Sequence, residues 1–353
     1  MASLAERVPA GVQAGFLRAA FALPKTVQRL IVGKPVHLDG QELHIDVQLL
    51  LKLQQLSGQA ELGGSGTPDQ VRAGLRASAA MIDAQKIGPV STRDLKIPTE
   101  DGTIGARFYE PEGLGDKSPL LVYIHGGGFV VGDIESHDNL CRFLAKHAEV
   151  RVLSVDYRLA PENKFPAGVR DCYAAFRWAH TNAAELNIDP EKIAVGGDSA
   201  GGNLTATTAL QAIAQGGPKP KFLLMFYPTV DASVRRRSRE IFGKGFFLTD
   251  AGMDWFFAHY VAKDEEKFEP LCSPLLAEDL SQLPPVYLST AGFDPLRDEG
   301  EAFVAKLREQ GVPVAHTRHR GLIHGYASML TVGTACREAT FEAVGALRAG
   351  LSL

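Results

Sequence analysis

The segment Gly197-Asp198-Ser199-Ala200-Gly201 constrains this chain more than any other. It follows the apolar run Lys192-Ile193-Ala194-Val195-Gly196, which reads as a short buried strand, and precedes Gly202-Asn203-Leu204-Thr205-Ala206, which reads as the start of a helix. A serine flanked by glycines at i−2 and i+2, between strand and helix, predicts a turn too sharp for ordinary backbone angles. Side chains at the two flanking positions would collide in such a turn, so both need glycine. The serine hydroxyl then projects above the sheet, and the next amide lies at a helix N-terminus.

A second motif supplies chemistry for that hydroxyl. The strand Pro119-Leu120-Leu121-Val122-Tyr123-Ile124 ends in His125-Gly126-Gly127-Gly128-Phe129. Acyl transfer passes through a tetrahedral intermediate whose negative oxygen needs backbone N–H groups aimed at it. Consecutive glycines let the main chain approach a substrate with no side chain in the way. Gly127, Gly128 and Ala200 are the candidate oxyanion donors. The bland alternative is a glycine-rich turn that only links strand to helix.

A serine nucleophile needs a base, and the base needs an orienting acid. In the alpha/beta-hydrolases, which this strand–elbow–helix arrangement resembles, the chain order is Ser, then Asp or Glu, then His. The strand Pro285 to Gly292 runs into Phe293-Asp294-Pro295-Leu296, placing Asp294 just past a strand's C-terminal end, where open sheets keep their chemistry. Asp298 and Glu299 open the next predicted helix, where acidic residues are expected for dipole reasons alone. A further strand around Val312 to His319 leads to His324-Gly325-Tyr326, and His324 is the candidate base. His316 and His319 fall on that strand or its edge and read as structural or solvent-facing. The three histidines lack the spacing of a metal pair and have no cysteine nearby.

With these strings in view, the chain resembles the hormone-sensitive-lipase-like carboxylesterases of the alpha/beta-hydrolases. The resemblance rests on the two motifs above, on Asp156-Tyr157-Arg158-Leu159-Ala160-Pro161-Glu162 with Phe165-Pro166-Ala167, on Gly292 to Gly300, and on His324-Gly325-Tyr326. Weaker similarity lies at Phe247-Leu248-Thr249-Asp250 and Ser273-Pro274-Leu275. It runs from near Pro89 to the C-terminus, about three-quarters of the chain. The Gly-Asp-Ser-Ala-Gly form of the elbow points to the larger subgroup. Tyr326 departs from the phenylalanine usual there but keeps the ring. The resemblance implies an α/β fold with a mostly parallel central sheet flanked by helices and a helical cap. It implies hydrolysis of short- to medium-chain acyl esters by Ser199, His324 and Asp294 through an acyl-enzyme, with no cofactor and no metal. A lactonase, an amidase or a non-catalytic binding protein on the same scaffold are the alternatives. It also implies pairing of two copies through the edge strand and last helix.

Composition sets limits. The chain has 353 residues, 45% of them hydrophobic and 22% charged, enough for a sizeable core and contrary to bulk disorder. A net charge of −4 argues against a nucleic-acid partner. Cys141, Cys172, Cys272 and Cys336 are widely spaced and read as reduced core residues of a cytoplasmic protein. No run of about 18 apolar residues predicts a membrane span.

From Leu120 onward strands and helices alternate, with helices predicted near 137–148, 167–183, 200–215, 298–310 and 326–349. Val90 to Tyr109 reads as two strands around Glu100-Asp101-Gly102. Residues 89–353 form the catalytic domain, interrupted by 231–271, which read as an insertion above the sheet with a helix near Thr249 to Val261. Residues 1–88 form an N-terminal helical segment that completes the cap. In it Val12, Phe16, Ala19, Ala20, Leu23, Val27 and Leu30 recur at helical spacing, with Arg18, Lys25 and Arg29 opposite and a break at Pro24. The alternative is a basic amphipathic contact with a membrane surface. Arg18 interrupts the apolar run, so it does not read as a secretory signal. Ser57-Gly58 and Gly63 to Gly66 predict a link, and Thr67-Pro68-Asp69-Gln70 a capped helix start. Arg235 to Arg239 reads as a solvated loop, or as a site for an acidic group. Phe129, Trp255 and Tyr227 are candidate pocket residues, though Trp255, Phe256 and Phe257 equally suit the packing of a cap helix. Asp156 and Glu162 read as anchors of loops near the site.

Overall fold

Apolar runs buried on both faces produce the sheet at the centre of the protein. The computed structural model describes residues 10–57, 62, 63, 66–82 and 85–352. An N-terminal segment contributes helices α1 (Ala10–Ala22) and α2 (Lys25–Val32), the ribbon β1 (His37–Leu38) and β2 (Gln41–Glu42), and helices α3 (Ile45–Ser57) and α4 (Pro68–Ile82). Strands β3 (Val90–Thr99) and β4 (Gly102–Pro111) pair antiparallel around the predicted turn. Then β5 (Ser118–Ile124), α5 (Asp138–Ala148), β6 (Arg151–Asp156), α6 (Ala167–Thr181), β7 (Ile188–Asp198), α7 (Ala200–Ala214) and β8 (Phe222–Phe226) alternate. The insertion carries α8 (Arg237–Phe242) and α9 (Asp250–Tyr260), before β9 (Val286–Phe293), α10 (Arg297–Glu309), β10 (Val314–Ile323) and α11 (Ala335–Gly350).

The eight-stranded sheet has the order β10-β9-β8-β7-β5-β6-β4-β3. Strands β5 to β10 pair parallel, and only β4 with β3 and β6 is antiparallel. Parallel neighbours need a crossover, which the intervening helices supply. Side-chain alternation then divides the core. Leu120, Val122 and Ile124 of β5 join the cluster that includes Val169, Leu204 and Phe303. Leu121 and Tyr123 join the opposite cluster with Phe143, Val344 and Val47. Because helices cover both faces, the central strands are apolar throughout rather than alternating.

Two expectations need correction. The helix predicted over 326–349 begins at Ala335, and Tyr326–Ser328 makes only a single tight turn. The cause is Gly333 at φ +60°, packed against the buried Asp46 carboxylate, which also accepts the Thr334 amide at 3.1 Å. The arginine run is not a vacant acid-binding patch: Arg235 and Arg237 stay exposed, but Arg236 pairs with Asp231 at 2.7 Å, Arg237 with Asp39 at 2.8 Å, and Arg235 and Arg239 with Asp250 and Asp254. Those pairs tie the insertion to itself and to the N-terminal ribbon.

The structure also sets the orientation of the N-terminal stripe. The chain breaks at Pro24 as expected, and most of the stripe points outward: Phe16 is 67% and Leu30 84% exposed, and Leu23 and Val27 are also exposed, while Ala20 is buried. The inward face holds Leu17, Ala20 and the fully buried Gln28, which donates to the Phe21 and Leu23 carbonyls at 2.9 and 3.0 Å. Lys25 pairs with Asp46, and Arg29 donates to Gln48 at 3.1 Å. The Asp46 carboxylate and the Gln48 amide of α3 therefore fix the orientation. The side chain of Val12, Gly58 and part of the link before Gly66 lie outside the described residues, but Leu62 bridges to Leu248 of the insertion. Thr67 and Gln70 form the expected reciprocal cap, with Gln70 Oε1 accepting the Thr67 amide at 2.9 Å. Among the described residues no helix is long and apolar enough to cross a membrane.

Candidate active site

The site begins where β7 ends. Ser199 takes φ +56° and ψ −117°, a region costly for a residue with a Cβ. Its amide donates to the Phe226 carbonyl at 2.9 Å, which anchors the turn on β8. A Cβ on Gly197 or Gly201 would overlap the Ile124 carbonyl, so glycine is required at both positions.

Two further loops converge on the serine from the sheet's C-terminal edge. Ser199 Oγ lies 2.9 Å from His324 Nε2, and His324 Nδ1 lies 2.8 Å from Asp294 Oδ2. The other Asp294 oxygen accepts the Leu296 amide at 2.8 Å. With Nδ1–H donating to the carboxylate, Nε2 is left to accept the serine proton. All three residues are buried. The rival carboxylates are engaged elsewhere: Asp298 accepts the Ser238 amide at 2.9 Å and Glu299 the Val230 amide at 2.8 Å. His316 meets Thr290 Oγ1 at 3.1 Å, and His319 packs on the Tyr326 ring, both on β10.

After β5, Gly127 and Gly128 take φ +116° and +58°. A Cβ on Gly127 would overlap the Val131 carbonyl, and one on Gly128 the Phe256 ring. Among the described residues, no acceptor takes the amides of Gly127, Gly128 or Ala200.

A buried polar network underlies this loop, and the sequence reading missed it. Asp198 Oδ1 accepts the Gly126 amide at 3.0 Å and the Tyr123 hydroxyl at 2.7 Å, and His137 Nε2 stands 3.4 Å away. Burial alone would raise the Asp198 carboxyl; the His137 charge and the hydrogen bonds from His137 and Tyr123 outweigh it and hold the group ionised. His137 is displaced upward in turn, since Asp198 overcomes its burial. His125, stacked on Tyr157, is pushed down to about 4 by burial and by the His137 charge, so its neutral ring donates from Nδ1 to the Gly126 carbonyl at 2.8 Å. Asp198 adjoins the serine and was legible only as a letter of the elbow. His137 belongs to no motif.

Of the candidate pocket residues, Tyr227 packs its ring 4.7 Å from His324, and its hydroxyl accepts the Ala327 amide at 3.3 Å. Phe129 stacks on Tyr260 at 3.8 Å. Trp255 packs on Phe256 and His259. Phe256 is the aromatic ring set against Gly128, a role its helical spacing could not separate from packing. The Tyr326 hydroxyl donates to Ser289 Oγ at 2.6 Å, so the departure from phenylalanine adds a buried hydrogen bond. Glu162 anchors α4, gripped by Arg72 at 2.7 and 2.8 Å and held down to about 2 by that hydrogen bonding. Asp156 ends β6 against Gly105.

Residues 121–328 match a family model described as the alpha/beta hydrolase fold. The chain is 42% identical over 340 residues to the carboxylic ester hydrolase LipN of Mycobacterium tuberculosis, covering 94% of this chain and 89% of that relative. It is 36% identical to an ethyl acetate hydrolase of Pseudomonas putida, covering 79% and 89%. A solved hyperthermophilic esterase from the archaeon Pyrobaculum calidifontis superimposes with a TM-score of 0.82 at 39% identity, covering 85% of this chain and 97% of that one. The chain belongs to the alpha/beta-hydrolases and, among them, to the hormone-sensitive-lipase-like carboxylesterase family.

Proposed function

We propose that this ester hydrolase works through Ser199 as nucleophile, His324 as base and acid, and Asp294 as orienting acid. The observation that carries the reading is the unbroken chain from Ser199 Oγ through His324 to Asp294, with contacts of 2.9 and 2.8 Å. His324 Nε2 removes the serine proton as Oγ attacks the ester carbonyl. Asp294 holds the ring tautomer and stabilises the imidazolium. The Gly127, Gly128 and Ala200 amides bind the oxyanion, each such donor contributing about 3 kcal/mol to the transition state. Collapse expels the alcohol, which takes its proton from His324. Water, activated by the same ring, then releases the acid and restores Ser199.

The substrates are short- to medium-chain acyl esters. Support comes from Phe256, whose ring crowds Gly128 and limits the space beside the oxyanion loop. The Pseudomonas relative is itself named for a two-carbon acyl ester. The cap comprises residues 1–88 and 231–271, a division supported by the Leu62–Leu248 bridge between them. The enzyme is cytoplasmic, in keeping with four free buried cysteines, and forms a homodimer. The test is hydrolysis of nitrophenyl esters from two to sixteen acyl carbons with Ser199→Ala as control. Serine-dependent turnover peaking at short chains is expected; a folded Ser199→Ala variant with near wild-type activity would refute the assignment.

One observation favours a second surface function. The outward apolar face of α1 and α2 fits peripheral contact with a lipid surface. Because Lys25 and Arg29 are tied inward, apolar insertion rather than charge drives this contact. Vesicle sedimentation tests it.

A further inference from the structure

The acid and base loops of the site leave the sheet at its edge. Among the described strands of the sheet, β10 pairs with β9 alone and stands at the edge, so the loop after it has no strand of the sheet on its outer side. The serine, by contrast, follows β7 in the middle of the sheet. A stretch of the N-terminal segment occupies the missing outer position. The His44 amide donates to the Gly321 carbonyl at 2.9 Å, three residues before His324. Asp46, fully buried, receives the Thr334 amide at 3.1 Å on the far side of the same loop.

The acid loop is held from the same stretch. Gln41, only 4% exposed, donates from Nε2 to the Gly292 carbonyl at 2.8 Å, two residues before Asp294. Its Oε1 packs against the Gly292 α-carbon, so closely that a Cβ there would stand 2.7 Å from it. Asp39 grips Arg297 at 2.7 Å, and the Arg297 amide donates to the Asp294 carbonyl at 3.1 Å.

We propose that residues 39–46 are a positioning clamp that sets the distance between Asp294, His324 and Ser199, with Gln41 as its central residue. The proposal rests on the triad reading and deepens it. None of these side chains touches a reacting atom. They act by holding the backbone on either side of the acid and the base, where sub-ångström errors cost rate. Gln41 fits this role because it spends a buried amide on a single carbonyl and leaves Oε1 without a partner among the described residues. That arrangement is poor as a stability device.

The test is Gln41→Met, which keeps length and removes the donor. The expected result is a kcat lower by about 10- to 100-fold with KM within about twofold, in protein whose near-UV circular dichroism matches wild type. In a His324→Ala background the same substitution should cost no further residual rate, because there is no base left to misplace. Asp39→Asn, at the surface end of the clamp, should lower kcat in the same way but less, and decides the question if Gln41→Met does not fold. A folded Gln41→Met enzyme with wild-type kcat, or an equal loss in the His324→Ala background, overturns the clamp. Failure of the underlying reading looks different: wild-type turnover would not depend on Ser199 at all.

Discussion

Glu299→Gln should change how stability depends on pH, and the structure gives sign and size. Glu299 is buried beneath the loop that follows β8 and accepts the Val230 amide at 2.8 Å. Burial pushes its carboxyl up from 4.5 to about 8, helped by the neighbouring Asp231, while hydrogen bonds from Val230 and Thr229 oppose the rise. The folded protein therefore keeps a proton on Glu299 that the unfolded chain has already lost. The resulting stability is fully present below about pH 4.5 and is lost as pH climbs through about 8. At about 1.4 kcal/mol per pH unit, the whole window corresponds to a change on the order of 5 kcal/mol. Glutamine keeps an acceptor for Val230 and cannot ionise. The assay is guanidinium unfolding of both proteins from pH 5 to pH 9. Shared slopes cancel in the difference, so wild type should lose ground steadily to the variant up to about pH 8, after which the two curves run parallel. A difference that stays flat across this range would show that Glu299 is ionised in the folded protein, and would refute the burial argument.

Two other outcomes follow from the same geometry. Phe256→Ala removes the ring against Gly128 and should raise the ratio of decanoate to butyrate hydrolysis by about tenfold, at a stability cost of about 3–5 kcal/mol; an unchanged chain-length profile would remove Phe256 from the acyl site. Phe16→Ser with Leu30→Ser in the full chain should cut sedimentation with lipid vesicles about tenfold and leave turnover of a soluble ester intact, whereas equal sedimentation would refute the surface contact.

The parts of the site that were legible in sequence are those built from local backbone. Gly197 and Gly201 announce the elbow because two neighbouring carbonyls leave no room for a Cβ. Asp294 and His324 declare themselves by following strands in the required order. His137 could not be found this way. Its partner Asp198 is 61 residues distant along the chain, and a single histidine in a polar stretch carries no signal until the fold buries both groups. The break before α11 was equally hidden, since Gly333 ends the predicted helix only because Asp46 arrives beside it.

The N-terminal stripe shows a deeper limit. Helical spacing identifies an apolar face, and the usual inference turns that face toward the core. Here Lys25 and Arg29 reach Asp46 and Gln48 on α3, Gln28 is buried against the Phe21 and Leu23 carbonyls, and most of the apolar stripe is left facing out. Periodicity fixes which residues share a face; it does not fix which face the protein keeps. The same partners link this segment to the proposed clamp. Asp46 holds Lys25 of α2 and the Thr334 amide of the loop behind His324 with one carboxylate. The helices that display an apolar surface are thus anchored through the residue that also braces the base. A shift of α2 that moves Lys25 would therefore reach the loop behind His324 through the Asp46 carboxylate.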